Sequence, residues 1–130
     1  MKIGVLGAGA WGTTLANLLA EKGHGVLLWG RDPEQMEQMR CKRENERLLP
    51  GVRLSPNLEL TTDLGETLQQ AFFTILAVPC QYLRSVLEQA APFFGSRPRV
   101  VCASKGIELA SLKPMSAVVA EALRAKEPEY

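Results

Sequence analysis

Short runs of apolar residues recur along the chain and alternate with stretches whose apolar positions follow a helical period. A strand that is buried on both faces of a parallel sheet has such a continuous apolar run. The runs predict five strands, over residues 3–6, 26–29, 58–61, 72–78 and 99–103. The stretches between and after them predict helices over residues 13–22, 34 to about 46, 63 to about 70, 82 to about 91 and 114–125. Strands alternating with helices predict an α/β fold of the Rossmann type, with a doubly wound, mainly parallel sheet and helices on both faces.

Two of the predicted helices differ in character. In the first, Leu15, Ala16, Leu18 and Leu19 have the spacing of a helix face that contacts a sheet. Residues 34–46 are polar and highly charged, so we expect an exposed helix that runs into a loop.

Composition narrows the class of protein. A chain of 130 residues suits one domain, residues 1–130, and its 46% apolar and 22% charged residues are ordinary for a globular protein. A net charge of +1 gives no indication of a nucleic-acid partner, and we expect neither a signal peptide nor a membrane span. Cys41, Cys80 and Cys102 are widely spaced and odd in number, which argues against disulfides and a metal site and favours the cytoplasm. We interpret the single histidine, His24, as a turn residue rather than a catalytic one.

The glycines after the first strand form the strongest motif. Residues 7–12 fit G-x-G-x-x-G, with a predicted strand before them and a predicted helix after them, as a dinucleotide-binding loop requires. Gly7 would permit the tight turn, Gly9 the close approach of a pyrophosphate, and Gly12 the close packing of helix on strand. The helix N-terminus would then face the bound anion. The other interpretation is a glycine-rich turn without a ligand, which the order of elements disfavours.

The end of the second strand bears on which nucleotide binds. NAD enzymes of this fold place an acidic residue there for the ribose 2′-hydroxyl. Gly30 falls at that position and Arg31 follows it, so a planar guanidinium is available for a 2′-phosphate. Asp32 has the spacing of the NAD acid, but it follows the strand and precedes Pro33, which favours a helix N-cap. NADP is therefore preferred, and NAD stays possible.

Together these segments resemble the bacterial-type NAD(P)-dependent glycerol-3-phosphate dehydrogenases. The matching stretches are residues 7–16 (GAGAWGTTLA), 28–31 (LWGR), 49–51 (LPG), 77–79 (AVP) and 104–108 (SKGIE). They follow the family's order through nearly the whole chain. One departure is Ala10, where the family usually has serine, so the phosphate loop lacks a hydroxyl but keeps its backbone donors.

The resemblance implies a role for each matching position. The glycine-rich turn, with Ala10 and Trp11, would hold the pyrophosphate, and Arg31 would hold the 2′-phosphate. Pro79 would lie near the nicotinamide, with Cys80 as a nearby structural thiol. Lys105, just after a buried strand, would contact both the cofactor and the substrate phosphate or hydroxyl.

The resemblance also implies a reaction: reversible hydride transfer between NAD(P)H and dihydroxyacetone phosphate, giving sn-glycerol 3-phosphate for phospholipid synthesis. Family members are much longer, and a C-terminal helical domain supplies their catalytic lysine. We therefore expect this chain to be the cofactor-binding domain, truncated at Tyr130, with no catalytic residue of its own and little activity alone. An exposed apolar docking surface could also pair two copies into a homodimer.

Three alternatives stay open on the sequence alone. A ketopantoate-type or other β-hydroxyacid reductase shares the phosphate loop and the arginine, although the SKGIE segment argues against it. A stand-alone NADPH-binding module would bind without chemistry. A remnant with an incomplete crevice would not bind at all.

Overall fold

The central sheet has the predicted strands, all parallel. In the computed structural model, which describes residues 1–124, the strands are β1 Lys2–Leu6, β2 Gly25–Trp29, β3 Glu44–Asn45, β4 Leu49–Arg53, β5 Leu58–Thr61, β6 Phe73–Leu76, β7 Val100–Cys102, β8 Ile107–Glu108 and β9 Lys113–Pro114. Five of them form the central sheet in the order β5-β2-β1-β6-β7, and each neighbouring pair is parallel. The chain builds outward from β1 to β5 and then returns to the other side of β1, which is the doubly wound arrangement.

Helices cover both faces of this sheet. They are α1 Ala10–Glu21, α2 Pro33–Lys42, α3 Leu64–Gln69, α4 Cys80–Ala90 and α5 Met115–Ala122, with a 3₁₀ turn at Ala91–Phe93. Neighbouring residues of a strand point to opposite faces; accordingly, Val5 belongs to a core with α1 and α2, and Leu6 to a core with α4 and α5. We call these the α1-side core and the α4-side core. The Rossmann-type fold class is thereby confirmed. The predicted last residue of the final helix, Ala125, and the tail to Tyr130 lie outside the described residues.

The face that α1 turns to the protein differs from the predicted leucine face. Its buried residues are Gly12, Thr13, Ala16, Asn17 and Ala20, whereas Leu18 is 48% exposed. The reason is the short distance between helix and strand. Small residues allow that approach, and Leu15 and Leu19 contact the core only from its margin.

The predicted helix over residues 34–46 ends four residues early. Arg43 adopts a left-handed conformation (φ 53°) and its N–H donates to Met39 O, which closes α2 at Lys42. The Arg43 guanidinium then binds the carbonyls of Ser55 and Leu58. The following residues form an antiparallel ribbon of β3 and β4. The loop predicted there is therefore a short ordered sheet.

A second unpredicted element is the β8–β9 hairpin, whose first strand is formed by the last two residues of the SKGIE segment and which packs on α4. Glu108 is 7% exposed, and both of its carboxylate oxygens accept hydrogen bonds from Arg84 Nε at 3.0 and 3.2 Å. Arg84 also pairs with Glu121 at 2.7 Å, and Lys113 with Glu121. Arg84 holds the pKa of Glu108 below its usual value, with a further hydrogen bond from Ser111. The ion-pair cluster fixes the hairpin between α4 and α5.

Candidate functional site

All four predicted binding segments lie at one edge of the sheet. Because the strands are parallel, the loops that follow β2, β1, β6 and β7 leave from the same side, in that spatial order. These loops carry Arg31, the glycine-rich turn, Pro79 and Lys105 respectively. The chain reverses its direction of winding between β1 and β6, and open α/β sheets bind ligands at that point.

The glycine-rich turn is as tight as its sequence requires. Gly7 has φ +117°, and a Cβ there would stand 2.5 Å from the Ala77 carbonyl oxygen. A Cβ on Gly12 would stand 1.9 Å from the Gly7 carbonyl oxygen, so the first turn of α1 packs directly on the loop. A Cβ on Gly9, in contrast, would meet no atom of residues 1–124 within 4 Å. Two glycines are thus required by the fold, while the third leaves open space beside the loop.

That open space faces the start of a helix without a side-chain cap. Gly9 is the N-cap of α1 and offers no capping hydrogen bond, and the first intrahelical bond runs from Thr13 N to Gly9 O at 3.0 Å. The N–H groups of residues 10–12, in the first turn of α1, therefore have no acceptor within the helix. Trp11 is 58% exposed in this turn. Unpaired N–H groups and the positive end of the helix dipole suit an anion.

Two side-chain amides behind the loop, of half-buried Gln35 and buried Asn45, hold its backbone. The Ala8 carbonyl accepts from Gln35 Nε2 at 2.9 Å and from Asn45 Nδ2 at 3.0 Å. Asn45 Nδ2 also donates to Thr13 Oγ1 at 3.0 Å. Sequence reasoning missed both amides, because it assigned them to an exposed helix. Their only sequence signal is the nearby LPG match at residues 49–51.

Gly30 and Asp32, which follow β2, have different structural roles. Gly30 is buried, and a Cβ there would stand 2.3 Å from Met36 Sδ and 2.9 Å from Ala8 Cβ. The Asp32 Oδ1 accepts from Glu34 N at 3.0 Å, which confirms the predicted N-cap. Its Oδ2 pairs with Arg47 at 3.1 Å, and this bond is the main cause that lowers the pKa of Asp32.

Arg31 is exposed, and its side chain extends across the crevice toward α4. Its guanidinium carbon is 5.2 Å from the centroid of the Tyr82 ring on α4, within the range of a cation–π contact. An open pocket of about 600 Å³ adjoins Arg31 and is lined also by Trp29, Thr62, Leu64 and Phe93. The contact connects the β2 side of the crevice with the α4 side.

Pro79 and Lys105 lie on the other side of the reversal point. Pro79 is the N-cap residue of α4 and is exposed. Ser104 Oγ donates to Val78 O at 2.5 Å, and a Cβ on Gly106 would stand 3.1 Å from Cys80 Sγ. Lys105, between these two fixed residues, is exposed. The loop after β7 is thus held against the start of α4 and leaves the Lys105 side chain in solvent at the crevice edge.

The comparisons agree with this geometry. A model of the family described as NAD-dependent glycerol-3-phosphate dehydrogenase N-terminus matches residues 2–129. The chain belongs to this family. The resemblance to the dehydrogenases that the sequence motifs indicate is confirmed.

Similar proteins carry the name of the whole enzyme. The chain is 46% identical to glycerol-3-phosphate dehydrogenase [NAD(P)+] of Maridesulfovibrio salexigens, over all of this chain and 40% of that protein. It is 48% identical to the enzyme of Carboxydothermus hydrogenoformans, over all of this chain and 38% of that protein. The crystal structure of glycerol-3-phosphate dehydrogenase from Coxiella burnetii superposes with a TM-score of 0.87 at 31% identity, over 94% of this chain and 37% of that one. The chain therefore spans about two-fifths of the length of the curated relatives it matches.

Within residues 1–124, no three His, Cys, Asp or Glu side chains are grouped so as to hold a metal ion. No helix in the same range is both long and apolar enough to cross a membrane.

Proposed function

We propose that this chain is the NAD(P)H-binding part of an enzyme that interconverts dihydroxyacetone phosphate and sn-glycerol 3-phosphate by hydride transfer. The observation that carries the proposal is the single edge of the parallel sheet where the glycine-rich turn, Arg31, Pro79 and Lys105 leave their strands. Family membership over residues 2–129 supports it. The relatives named glycerol-3-phosphate dehydrogenase support the assignment of the substrate.

The residues fit a dinucleotide. The open space beside Gly9 and the uncapped start of α1 suit a pyrophosphate, for which Gly7, Gly9, Ala10, Trp11 and Gly12 form the binding turn. Arg31 would bind the adenosine 2′-phosphate, and Pro79 would contact the nicotinamide side. When bound, the nicotinamide supplies or accepts the hydride.

Lys105 is the residue we assign to the substrate. Its ammonium group is exposed at the crevice edge, and its charge suits both a substrate phosphate and a cofactor oxygen. Hydride transfer to a ketone also needs a proton donor within hydrogen-bond distance of the developing alkoxide. We propose that this acid and most of the substrate pocket lie in the part of the relatives that these 130 residues do not match. The chain alone is then expected not to reduce dihydroxyacetone phosphate.

The preference between nucleotides is proposed to lie with Arg31. The carboxylate of Asp32 is engaged by a backbone N–H through one oxygen and by Arg47 through the other. It is therefore poorly placed to accept from a ribose hydroxyl, whereas among residues 1–124 the Arg31 guanidinium is in contact with the Tyr82 ring and pairs with no carboxylate. NADPH is the expected cofactor, and NADH the weaker one.

The compartment and the assembly belong to the same proposal. We propose a cytoplasmic location, because the three cysteines are free thiols and free thiols are typical of a reducing compartment. The proposed partners are the phosphate substrate, the helical domain of the relatives and, in the assembled enzyme, a second copy in a homodimer.

A fluorescence titration tests the cofactor proposal. NADPH and NADH are added to the chain while emission is followed; Trp11 is exposed beside the proposed anion site, whereas Trp29 is 6% exposed. We expect saturable binding of NADPH, and Arg31→Ala to raise its Kd about tenfold while the Kd of NADH changes about twofold or less. Lys22→Ala is the charge-matched control, because Lys22 lies at the far end of α1. No saturation with either nucleotide would refute cofactor binding by this chain.

The same titration separates Arg31 from the alternative acid. Asp32→Ala is expected to leave NADH binding unchanged. A large loss of NADH affinity in that variant, with none of NADPH in Arg31→Ala, would assign the ribose to Asp32 and overturn the NADPH preference.

A further inference from the structure

The carbonyl oxygen of Ala8, in the glycine-rich loop, accepts hydrogen bonds from two side chains. It accepts from Gln35 Nε2 at 2.9 Å and from Asn45 Nδ2 at 3.0 Å. A carbonyl oxygen has two lone pairs, so both are used. Both donors are side chains of residues far along the chain, on α2 and β3. The orientation of the Ala8–Gly9 peptide is therefore set from outside the loop.

The orientation of that peptide decides where the next N–H points. A peptide unit is planar and trans, so the N–H of Gly9 points away from the carbonyl of Ala8. With this carbonyl directed toward Asn45 and Gln35, the Gly9 N–H is directed away from them. In the described part of the chain, no atom lies within 4 Å of a Cβ placed on Gly9. The two amides thus hold a backbone donor toward the open side of the loop.

Asn45 is built in more firmly than Gln35. Its residue is 1% exposed, its Nδ2 also donates to Thr13 Oγ1 on α1, and its Oδ1 accepts from Leu48 N at 3.3 Å. The Ala8 carbonyl needs a donor and the Leu48 N–H needs an acceptor, and a side-chain amide supplies both. The position therefore requires an amide, since an aspartate would direct an oxygen at the carbonyl.

We infer that Asn45 is a positioning residue for anion binding: it does not touch the nucleotide, but it holds the Ala8–Gly9 peptide so that the loop presents its N–H groups to a pyrophosphate. The inference rests on the proposed cofactor binding. It predicts a loss confined to ligands that carry a phosphate at the loop.

The experiment compares two ligands in three proteins. NADPH carries the pyrophosphate, whereas adenosine 2′-monophosphate has only the 2′-phosphate. Asn45→Ala is expected to raise the Kd of NADPH about tenfold, the equivalent of one lost hydrogen bond, and that of adenosine 2′-monophosphate less than about twofold.

Asn17→Ala is the matched control. Asn17 is also a buried amide, and it binds the backbone of Ser55 at 2.7 Å, away from the loop. The Asn17→Ala variant should have a lower unfolding midpoint in urea and an unchanged Kd for both ligands. Equal losses for both ligands in Asn45→Ala, or unchanged NADPH binding, would overturn the inference.

Two further measurements keep the test decisive. If Asn45→Ala does not fold, Gln35→Ala takes its place, because Gln35 donates to the same carbonyl from a half-buried helix position; a selective loss of NADPH affinity supports the mechanism, and none contradicts it. The amide resonance of Gly9, measured without nucleotide, should shift in Asn45→Ala and not in Asn17→Ala. If the unmodified chain binds no nucleotide, the proposed function fails, and an unshifted Gly9 resonance would refute the positioning role by itself.

Discussion

Gly30 is the position where a single methyl group should test the packing behind the site. Gly30→Ala would place a Cβ 2.3 Å from Met36 Sδ and 2.9 Å from Ala8 Cβ. Non-bonded heavy atoms of this kind prefer about 3.5–4.0 Å, so Met36 would have to retreat by more than 1 Å. Met36 is 1% exposed, and its sulfur cannot turn into solvent. The second contact is with the Cβ of Ala8, whose position is set by the loop backbone, so rotating a side chain cannot relieve it.

The expected loss follows from the size of this overlap. Overpacking a core costs about 1–3 kcal/mol, and two simultaneous contacts place Gly30→Ala toward the upper end. The free energy of unfolding should therefore fall by about 2–3 kcal/mol. Each 1 kcal/mol of that loss lowers the melting temperature of a chain of this size by about 4 °C.

A double-mutant cycle identifies the cause. Unfolding in urea, followed by circular dichroism, is measured for the parent, Gly30→Ala, Met36→Ala and the double variant. Met36→Ala alone leaves a cavity, at about 2–5 kcal/mol, but it also makes room for the new methyl group. The double variant should therefore be more stable than the sum of the single losses by at least about 1 kcal/mol. Additive losses, or a Gly30→Ala protein as stable as the parent, would refute the steric argument.

Two other outcomes follow from the site and its surroundings. Gly9→Ala should change stability by no more than about 1 kcal/mol, because its Cβ would meet no described atom within 4 Å. It should nevertheless weaken NADPH binding in the fluorescence titration, and unaltered binding would show that no ligand approaches this atom. The lowered pKa of Glu108, caused first by Arg84, contributes stability that is full above the ordinary glutamate pKa of 4.5 and is lost as the pH falls through the lower folded value. Glu108→Gln should flatten this acid-side loss in urea unfolding between pH 5 and pH 2, and an unchanged pH profile would contradict the assignment.

Much of the fold could be predicted from the sequence, because local patterns determine it. A strand buried on both faces has to be apolar throughout, and residues 26–29 and 58–61 form strands with the predicted bounds or within one residue of them. Asp32 and Pro33 start α2 as predicted. The order of motifs along the chain was sufficient to indicate the family. The role of each site residue stays a prediction.

What escaped prediction depends on contacts between distant residues. Asn45 lies in a polar, charged stretch whose composition indicates solvent, and its burial follows from the Ala8 carbonyl, 37 residues away along the chain. Periodicity predicts Leu18 on the inner face, but the close approach that Gly12 allows leaves room only for small residues. The β8–β9 hairpin is anchored by Arg84, 24 residues before Glu108. No short-range pattern marks any of these pairs.

The separate interiors on the two faces of the sheet give the crevice two independent walls. Ala8 and the α2 residue Met36 belong to the α1-side core, whereas Val78 and Leu83 belong to the α4-side core. Regions with separate cores can open separately. A molecule that spans the crevice would hold the two layers together, since it is bound only when both are closed. The more tightly such a molecule binds, the more free energy is then needed to separate the two layers.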